Sequence, residues 1–246
     1  MKFVEDLRKI NDTAADLVSR NLSSFLPLTK EENIQALLDY CYAVSSKYGE
    51  AATELAAQMY DACGAASGLS LKAAEPASTA SYDEVARTIR GTLKTTENAE
   101  VVGAAIGRLV KMSGVDTTMQ NALRDGAEWA WIPHGMTCAY CIMLASRGWT
   151  PASKDAIKNG HAEHIHPNCD CTYAVRFTRD SNVAGYRPEE YREIYDNADG
   201  RTGRQKLNAM RREFYARNKT VIDNSDLSDD AKRAALNAPA AEEMRA

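Results

Sequence analysis

With 246 residues the chain is long enough to bury a proper core, as one large domain or two modest ones. Its 30 basic side chains stand against 34 acidic ones, a net charge of −4, so the bulk composition excludes a broadly cationic nucleic-acid binder and any such contact must be local. No run of about 18 uncharged apolar residues occurs, which removes any expectation of a transmembrane helix. The opening Met1-Lys-Phe-Val-Glu-Asp6 carries early acids unlike a secretory signal, so a chain kept in a reducing cytosol is expected.

From the N-terminus, Phe3, Leu7, Ile10, Ala14, Leu17 and Val18 recur at helical spacing and predict a first helix over 3–26, ended by Pro27. Thr29 with Glu32 reads as a capping box opening a second helix. That pattern, through Ile34, Leu37, Leu38, Cys41, Val44, Tyr48, Ala52, Leu55 and Met59, continues toward Gly64. About 35 residues at 1.5 Å each would reach ~50 Å, more than a small compact domain needs, and suggest an elongated helical N-terminal body. Cys41 and Cys63 fall on core positions of this helix and read as buried thiols.

Residues 64–80, rich in Gly, Ala, Ser and Pro, predict a loop or linker in place of a packed element. Ser81 with Glu84 repeats the capping-box signature before Val85, Ala86, Ile89 and Leu93, and a further helix is predicted over 97–112. Asp116 then reads as the cap of another helix running toward Pro133. Trp129 and Trp131, two apart, are expected to take opposite sides of a strand or to flank a helix, with core packing as their plainer role. Residues 171–177 alternate partly and include β-branched and aromatic side chains; Trp149-Thr150 is expected to pair with them as a short hairpin or small sheet. A brief helix is expected over 153–159, another from Pro188 to Tyr195, a basic one over 203–219 with Leu207, Met210 and Phe214 on one side, and a short last helix from Ser228. The fold class is therefore mainly α with a small α+β subdomain. Its expected parts are a helical arm at 1–68, a helical body at 69–130, a cysteine/histidine subdomain at 131–200, and a basic helix with tail at 201–246.

That subdomain holds the densest chemistry. Thr137-Cys-Ala-Tyr-Cys-Ile142 is followed by His164-Ile-His-Pro-Asn-Cys-Asp-Cys171, so four of six cysteines and three of four histidines fall within 137–171. Cys138 and Cys141 at CxxC spacing can point two thiolates at one centre from a tight turn, and His166, Cys169 and Cys171 supply a second half-site. Tetrahedral Zn²⁺ needs four donors and five are present; His166 and Cys171 compete for, or share, the remaining role. His161 and His164 are weaker donors. The same cysteines could form disulfides, which a reducing compartment disfavours. They could instead serve catalysis, with His134 or His166 as base to a neighbouring thiolate, but no nucleophile elbow or oxyanion loop accompanies them and zinc would sequester the thiolate. A structural zinc clasp without catalytic residues is the expectation.

Across 201–219, Arg201, Arg204, Lys206, Arg211, Arg212, Arg217 and Lys219 meet one acid, Glu213. Such a helix could meet phosphates, as in a zinc-ribbon nucleic-acid-binding module. An ordinary solvated face balanced by Glu189, Glu190 and Glu193 is slightly preferred.

The segment Trp131-Ile-Pro-His-Gly-Met-Thr-Cys-Ala-Tyr-Cys-Ile-Met-Leu-Ala-Ser-Arg-Gly148 with His166-Pro-Asn-Cys-Asp-Cys171 resembles the minor head proteins of tailed bacteriophages, the Mu F-like class. Cys138, Cys141, His166, Cys169 and Cys171 fall on that class's CxxC and HxxCxC positions. Tyr48-Gly-Glu-Ala-Ala-Thr-Glu-Leu-Ala-Ala-Gln-Met-Tyr60 and Gly185-Tyr-Arg-Pro188 also look like it, so the similarity covers 48–198. The resemblance implies a non-enzymatic minor capsid protein of the virion, at the capsid interior or portal vertex after assembly in the host cytoplasm. It implies a role in head assembly and DNA packaging or delivery. Its partners would be portal protein and capsid or scaffold subunits, with no membrane contact; packaged DNA as a further partner rests on the charge of helix 201–219 and not on the resemblance. The termini are where such proteins vary, so partner contacts do not carry over residue by residue.

Overall fold

The computed structural model describes residues 2–134, 137–153 and 171–223. Within them the chain is mainly α with one small three-stranded antiparallel sheet, as the sequence predicts. It divides into two compact units: residues 2–127 with 152–153, and residues 128–134 and 137–151 with 171–223.

The first unit is built from α1 (Lys2–Asn21), α2 (Glu31–Ala66), α3 (Tyr82–Leu93) and α4 (Ala99–Asp125), with a 3₁₀ turn at Leu22–Phe25. Its core joins Val18, Leu37, Leu38, Cys41, Val85, Ile89, Val102, Ile106 and Val110, all essentially removed from solvent. Each such side chain contributes roughly 1.5–3 kcal/mol through burial. α1 lies closest to α4 because Gly103 and Gly107 leave no side chain at the contact: a Cβ built on Gly103 would stand 2.2 Å from Ser19 Oγ and 2.3 Å from the Ala15 carbonyl oxygen.

Several local expectations need correction. The Ser81–Glu84 capping box forms, with Ser81 N donating to Glu84 Oε2 at 2.8 Å. The one expected at Thr29 and Glu32 does not: α2 begins after Lys30 without a side-chain cap, and Asn33 Nδ2 instead donates to the Pro27 carbonyl at 2.9 Å. No helix begins at Asp116. α4 runs unbroken through it, and Ser113, Thr117 and Thr118 turn their hydroxyls back to carbonyls four residues earlier, which satisfies these polar groups where the helix is buried.

The loop expected over 64–80 begins later, since α2 runs to Ala66, and residues 69–80 are irregular but hydrogen-bonded to side chains of the neighbouring helices. Asn121 brackets Glu75 through both its N–H and its carbonyl, at 3.0 and 2.9 Å, and Thr117 Oγ1 accepts from Ala77 N at 3.0 Å. Asp61 Oδ1 accepts from Ala74 N, and Arg124 donates to the carbonyls of Lys72 and Ala73. The backbone groups that a sheet or helix would satisfy are met by side chains of α2 and α4.

Burial also sets an alkaline limit on this unit. The Cys41 thiol is pushed up from 9.0 to about 12 by desolvation. Burial raises the Tyr60 phenol too, helped by its hydrogen bond to Asp125 Oδ2 at 2.9 Å. Because the folded pKa of Cys41 lies above the unfolded one, its stabilisation is intact below pH 9.0 and is lost as pH rises toward about 12. The midpoint of urea unfolding should fall over that window, and Cys41→Ala should flatten the fall; an unchanged slope in Cys41→Ala would refute the assignment.

The second unit holds β1 (Glu128–Ile132), α5 (Ala139–Ala145), β2 (Thr150–Pro151), β3 (Thr172–Arg176), α6 (Pro188–Asn197) and α7 (Gly203–Asp223). The sheet order is β2-β1-β3. Thr150 therefore does not pair with 171–177 as expected; it pairs with Trp129, and β1 lies between. β1 takes the centre because Trp129, Ala130, Trp131 and Ile132 are all buried, a pattern suited to a strand covered on both sides. Trp129 and Trp131 do not take opposite sides as expected: strand side chains alternate, so residues two apart share one face, and the two stand opposite Val175 and Tyr173. Ala130 and Ile132 take the other face with Ala145 and Tyr186. Glu128 and Arg176, paired in register, form an ion pair at 2.6 Å, with the guanidinium 4.8 Å over the Trp149 ring. No helix among the described residues is long and apolar enough to cross a membrane. The helices expected at 153–159 and from Ser228 lie outside the described residues.

Candidate metal centre

The cysteine window sits in the second unit. Leaving β1 at Ile132, the chain passes Pro133 and His134, and at Cys138 it enters α5. Cys138 is half-buried, with extended backbone at φ −74° and ψ 159°, and its carbonyl accepts from Ile142 N at 3.1 Å. Cys141, one turn on, is 2% exposed. On the other side of β1, Thr172 pairs with Ile132, so Cys171 immediately precedes the point where β3 joins the strand from which the CxxC segment departs. Cys171 is likewise 2% exposed.

Seven residues make a helix too short to stand alone, so α5 depends on its neighbours. Tyr186 Oη donates to the Ala145 carbonyl at 3.0 Å and Arg192 Nε to the Ser146 carbonyl at 3.2 Å, meeting acceptors that the helix end leaves open. Gly148, at φ 66°, closes the Leu-Ala-Ser-Arg-Gly turn in the left-handed region. Ala139 and Ile142 face Met210 and Phe214 of α7, with Tyr191 of α6 at the edge.

Two interactions went unread in the sequence. His134 Nε2 lies 2.7 Å from Thr172 Oγ1, tying the CxxC-side segment to the residue after Cys171. Tyr191 packs against the apolar clusters on both sides of α5, and its phenol is raised first by burial and then by the nearby Cys171 sulfur. Tyr140 is raised by burial as well, with Arg147 opposing and Cys141 and Cys138 adding. Gly185-Tyr-Arg-Pro188 stands out in the sequence through its resemblance alone, and neither it nor residues 189–195 assigns this task to Tyr186 or Tyr191. Their positions follow from how α6 packs on α5.

Cys138, Cys141 and Cys171 thus belong to one small unit, while His166 and Cys169, and the weaker donors His161 and His164, lie outside the described residues. Among the described residues no group of three or more His, Cys, Asp or Glu side chains is arranged to hold a metal. The donors among the described residues, the thiols of Cys138, Cys141 and Cys171, are of a kind that suits Zn²⁺, and two of them are buried as a closed structural site requires. Of the two thiols of α2 expected to be buried, Cys41 is, whereas Cys63 is only half-buried; burial raises both.

The sequence matches the family model described as VG15 protein over residues 2–198. No curated protein and no solved structure matches it.

Proposed function

Because the chain belongs to the VG15 protein family, a family of phage gene products, we propose that it is a structural minor head protein of a tailed phage, acting beside the portal and the capsid interior in head assembly and DNA packaging or delivery. The observation that carries this reading is the extent of the family match, residues 2–198, which takes in both the helical unit and the CxxC segment whose motif resembles the Mu F-like class. Its role is mechanical and not catalytic. Cys138 and Cys141, with Cys169 and either or both of His166 and Cys171, close around one zinc ion and fix the second unit, while the helical unit offers long surfaces to portal and capsid or scaffold subunits.

A thiol enzyme would require an activated thiolate within reach of solvent, and the burial of Cys141 and Cys171 speaks for a closed site instead. Expressed with portal protein and scaffold, the chain should enter proheads and be recovered in a few copies per particle from purified virions. Its absence from virions would overturn the proposal.

A further inference from the structure

The seven cations of residues 201–219 are not equivalent once their partners are known. Lys206 Nζ donates to the carbonyls of Tyr195 and Asp196 at 3.1 and 2.6 Å, closing the end of α6. Arg217 pairs with Glu213 at 2.5 Å. Arg201, Arg204, Arg211 and Arg212, by contrast, are exposed and have no carboxylate within ion-pair distance among the described residues. The acids expected to balance them are not used for it: Glu190 pairs with Arg187 at 2.7 Å, and among the described residues neither Glu189 nor Glu193 forms an ion pair with α7.

Spacing sorts them further. Arg204, Asn208, Arg211, Arg212 and Tyr215 follow one another by four, three, one and three residues, so they line one strip of α7. The strip lies apart from buried Met210 and Phe214, and Glu213 takes the far side of the helix. Tyr215 stands in the strip 47% exposed. At the start of the helix the strip opens into a depression of about 510 Å³ lined by Asp199, Gly200, Arg201, Gln205, Asn208 and Arg212, two guanidiniums against one carboxylate.

We propose that this strip binds the phosphodiester backbone of nucleic acid without regard to sequence. Guanidinium groups present forked donors that match phosphate oxygens. Asn208 adds an amide donor, and an exposed ring among cations offers a stacking face for an unpaired base. An interface for an acidic protein would be expected to carry an apolar centre, and the strip has Tyr215 alone. The strip spans ~16 Å, over which duplex DNA presents on the order of ten phosphates, enough for its three arginines together with Arg201 in the depression at its start. The inference deepens the head-protein reading, which supplies the DNA, but binding can be measured without it.

The test is a titration of the full chain with labelled duplex DNA and, separately, single-stranded DNA across a salt series. Four engaged phosphates give a logarithmic salt slope of about −3.6 on duplex, a roughly 150-fold loss between about 50 and 200 mM salt. Arg211→Ala with Arg212→Ala should flatten the slope by about 2, while the lysine pair at the same positions should restore it. Tyr215→Ala separates the sources: a roughly 5- to 100-fold loss confined to single strands identifies unpaired DNA, and no loss with tighter duplex binding identifies the duplex. No binding at low salt, an unchanged slope in Arg204→Ala/Arg211→Ala/Arg212→Ala, or tighter binding to polyglutamate than to either DNA would overturn the proposal. A chain that enters proheads but fails this titration loses the strip alone; one that binds DNA but never enters proheads loses the head-protein reading alone.

Discussion

Gly103→Ala should destabilise the helical unit although alanine is the better helix former. In an exposed helix the exchange gains up to about 1 kcal/mol. At Gly103 the added methyl would meet Ser19 Oγ at 2.2 Å and the Ala15 carbonyl at 2.3 Å. The serine can rotate, at the cost of its 2.9 Å hydrogen bond to the Ala99 carbonyl, but the Ala15 oxygen is α1 backbone and cannot. The helices must separate, and every side chain between them loses contact. Overpacking of this kind costs about 1–3 kcal/mol and occasionally more, so the net effect should be a fall in unfolding temperature of several degrees. Gly91, also helical but with nothing within 4 Å of a built Cβ, is the control, and Gly91→Ala should raise stability slightly. Gly107, whose nearest neighbour is the Asn11 carbonyl at 3.0 Å, should fall between them. Thermal unfolding of the three variants checks the order; Gly103→Ala as stable as wild type would mean that the helices are not in this contact.

What could be read from the sequence and what could not divide along physical lines. Long apolar stripes such as Ile34 to Met59 announce a helix because burial repeats at the helical period, and α2 duly spans Glu31–Ala66. Start signals were legible only where side chain and backbone complete both bonds, as at Ser81 and Glu84; Thr29 and Glu32 have the same spacing and similar chemistry, but there Asn33 donates to the Pro27 carbonyl and α2 begins without a side-chain cap. The continuity of α4 through Asp116 was hidden because a helix buried on nearly all sides has no stripe to follow. The fastening of 69–80 was hidden because Asn121 and Thr117 lie some 40 residues away in sequence, and composition reports the absence of regular structure without reporting what replaces it. For the candidate centre, CxxC spacing and the cysteine-rich window could be seen at once. The supporting Tyr186, Tyr191 and His134 could not, since each matters only through tertiary contacts. The basic helix was legible as charge. Which of its cations are already committed required Lys206 and Arg217 to be seen at their partners.

On the proposed zinc clasp, removing the metal should unfold the second unit while leaving the helices of the first in place. The reason is the size of the cores. Among the described residues the first unit buries a continuous cluster running from Ala14 to Val110, whereas the second buries smaller groups, around Ile142, Met210 and Phe214, around Ala130, Ile132 and Tyr186, and on the sheet face of Trp129, Trp131, Tyr173 and Val175. Small cores of this kind are commonly fixed by a metal or by disulfides. Zinc binding in small fingers reaches ~10–16 kcal/mol, comparable to the stability of a whole domain. The chain carries its own reporters, because all three tryptophans, Trp129, Trp131 and Trp149, belong to the second unit. A chelator should therefore red-shift tryptophan emission and abolish the near-ultraviolet signal, while far-ultraviolet helicity, dominated by α1 to α4, falls much less. Cys138→Ser and Cys169→Ser should each lose the one equivalent of zinc and behave like the chelated protein. Cys41→Ser and Cys63→Ser, in the other unit, should keep it. Comparing His166→Ala with Cys171→Ser then shows which side chain completes the set. If Cys138→Ser retained a full equivalent of zinc, or if the metal-free chain kept its native tryptophan emission, the clasp would be wrong, and packing against Tyr186 and Tyr191 would have to be sufficient to hold the CxxC segment.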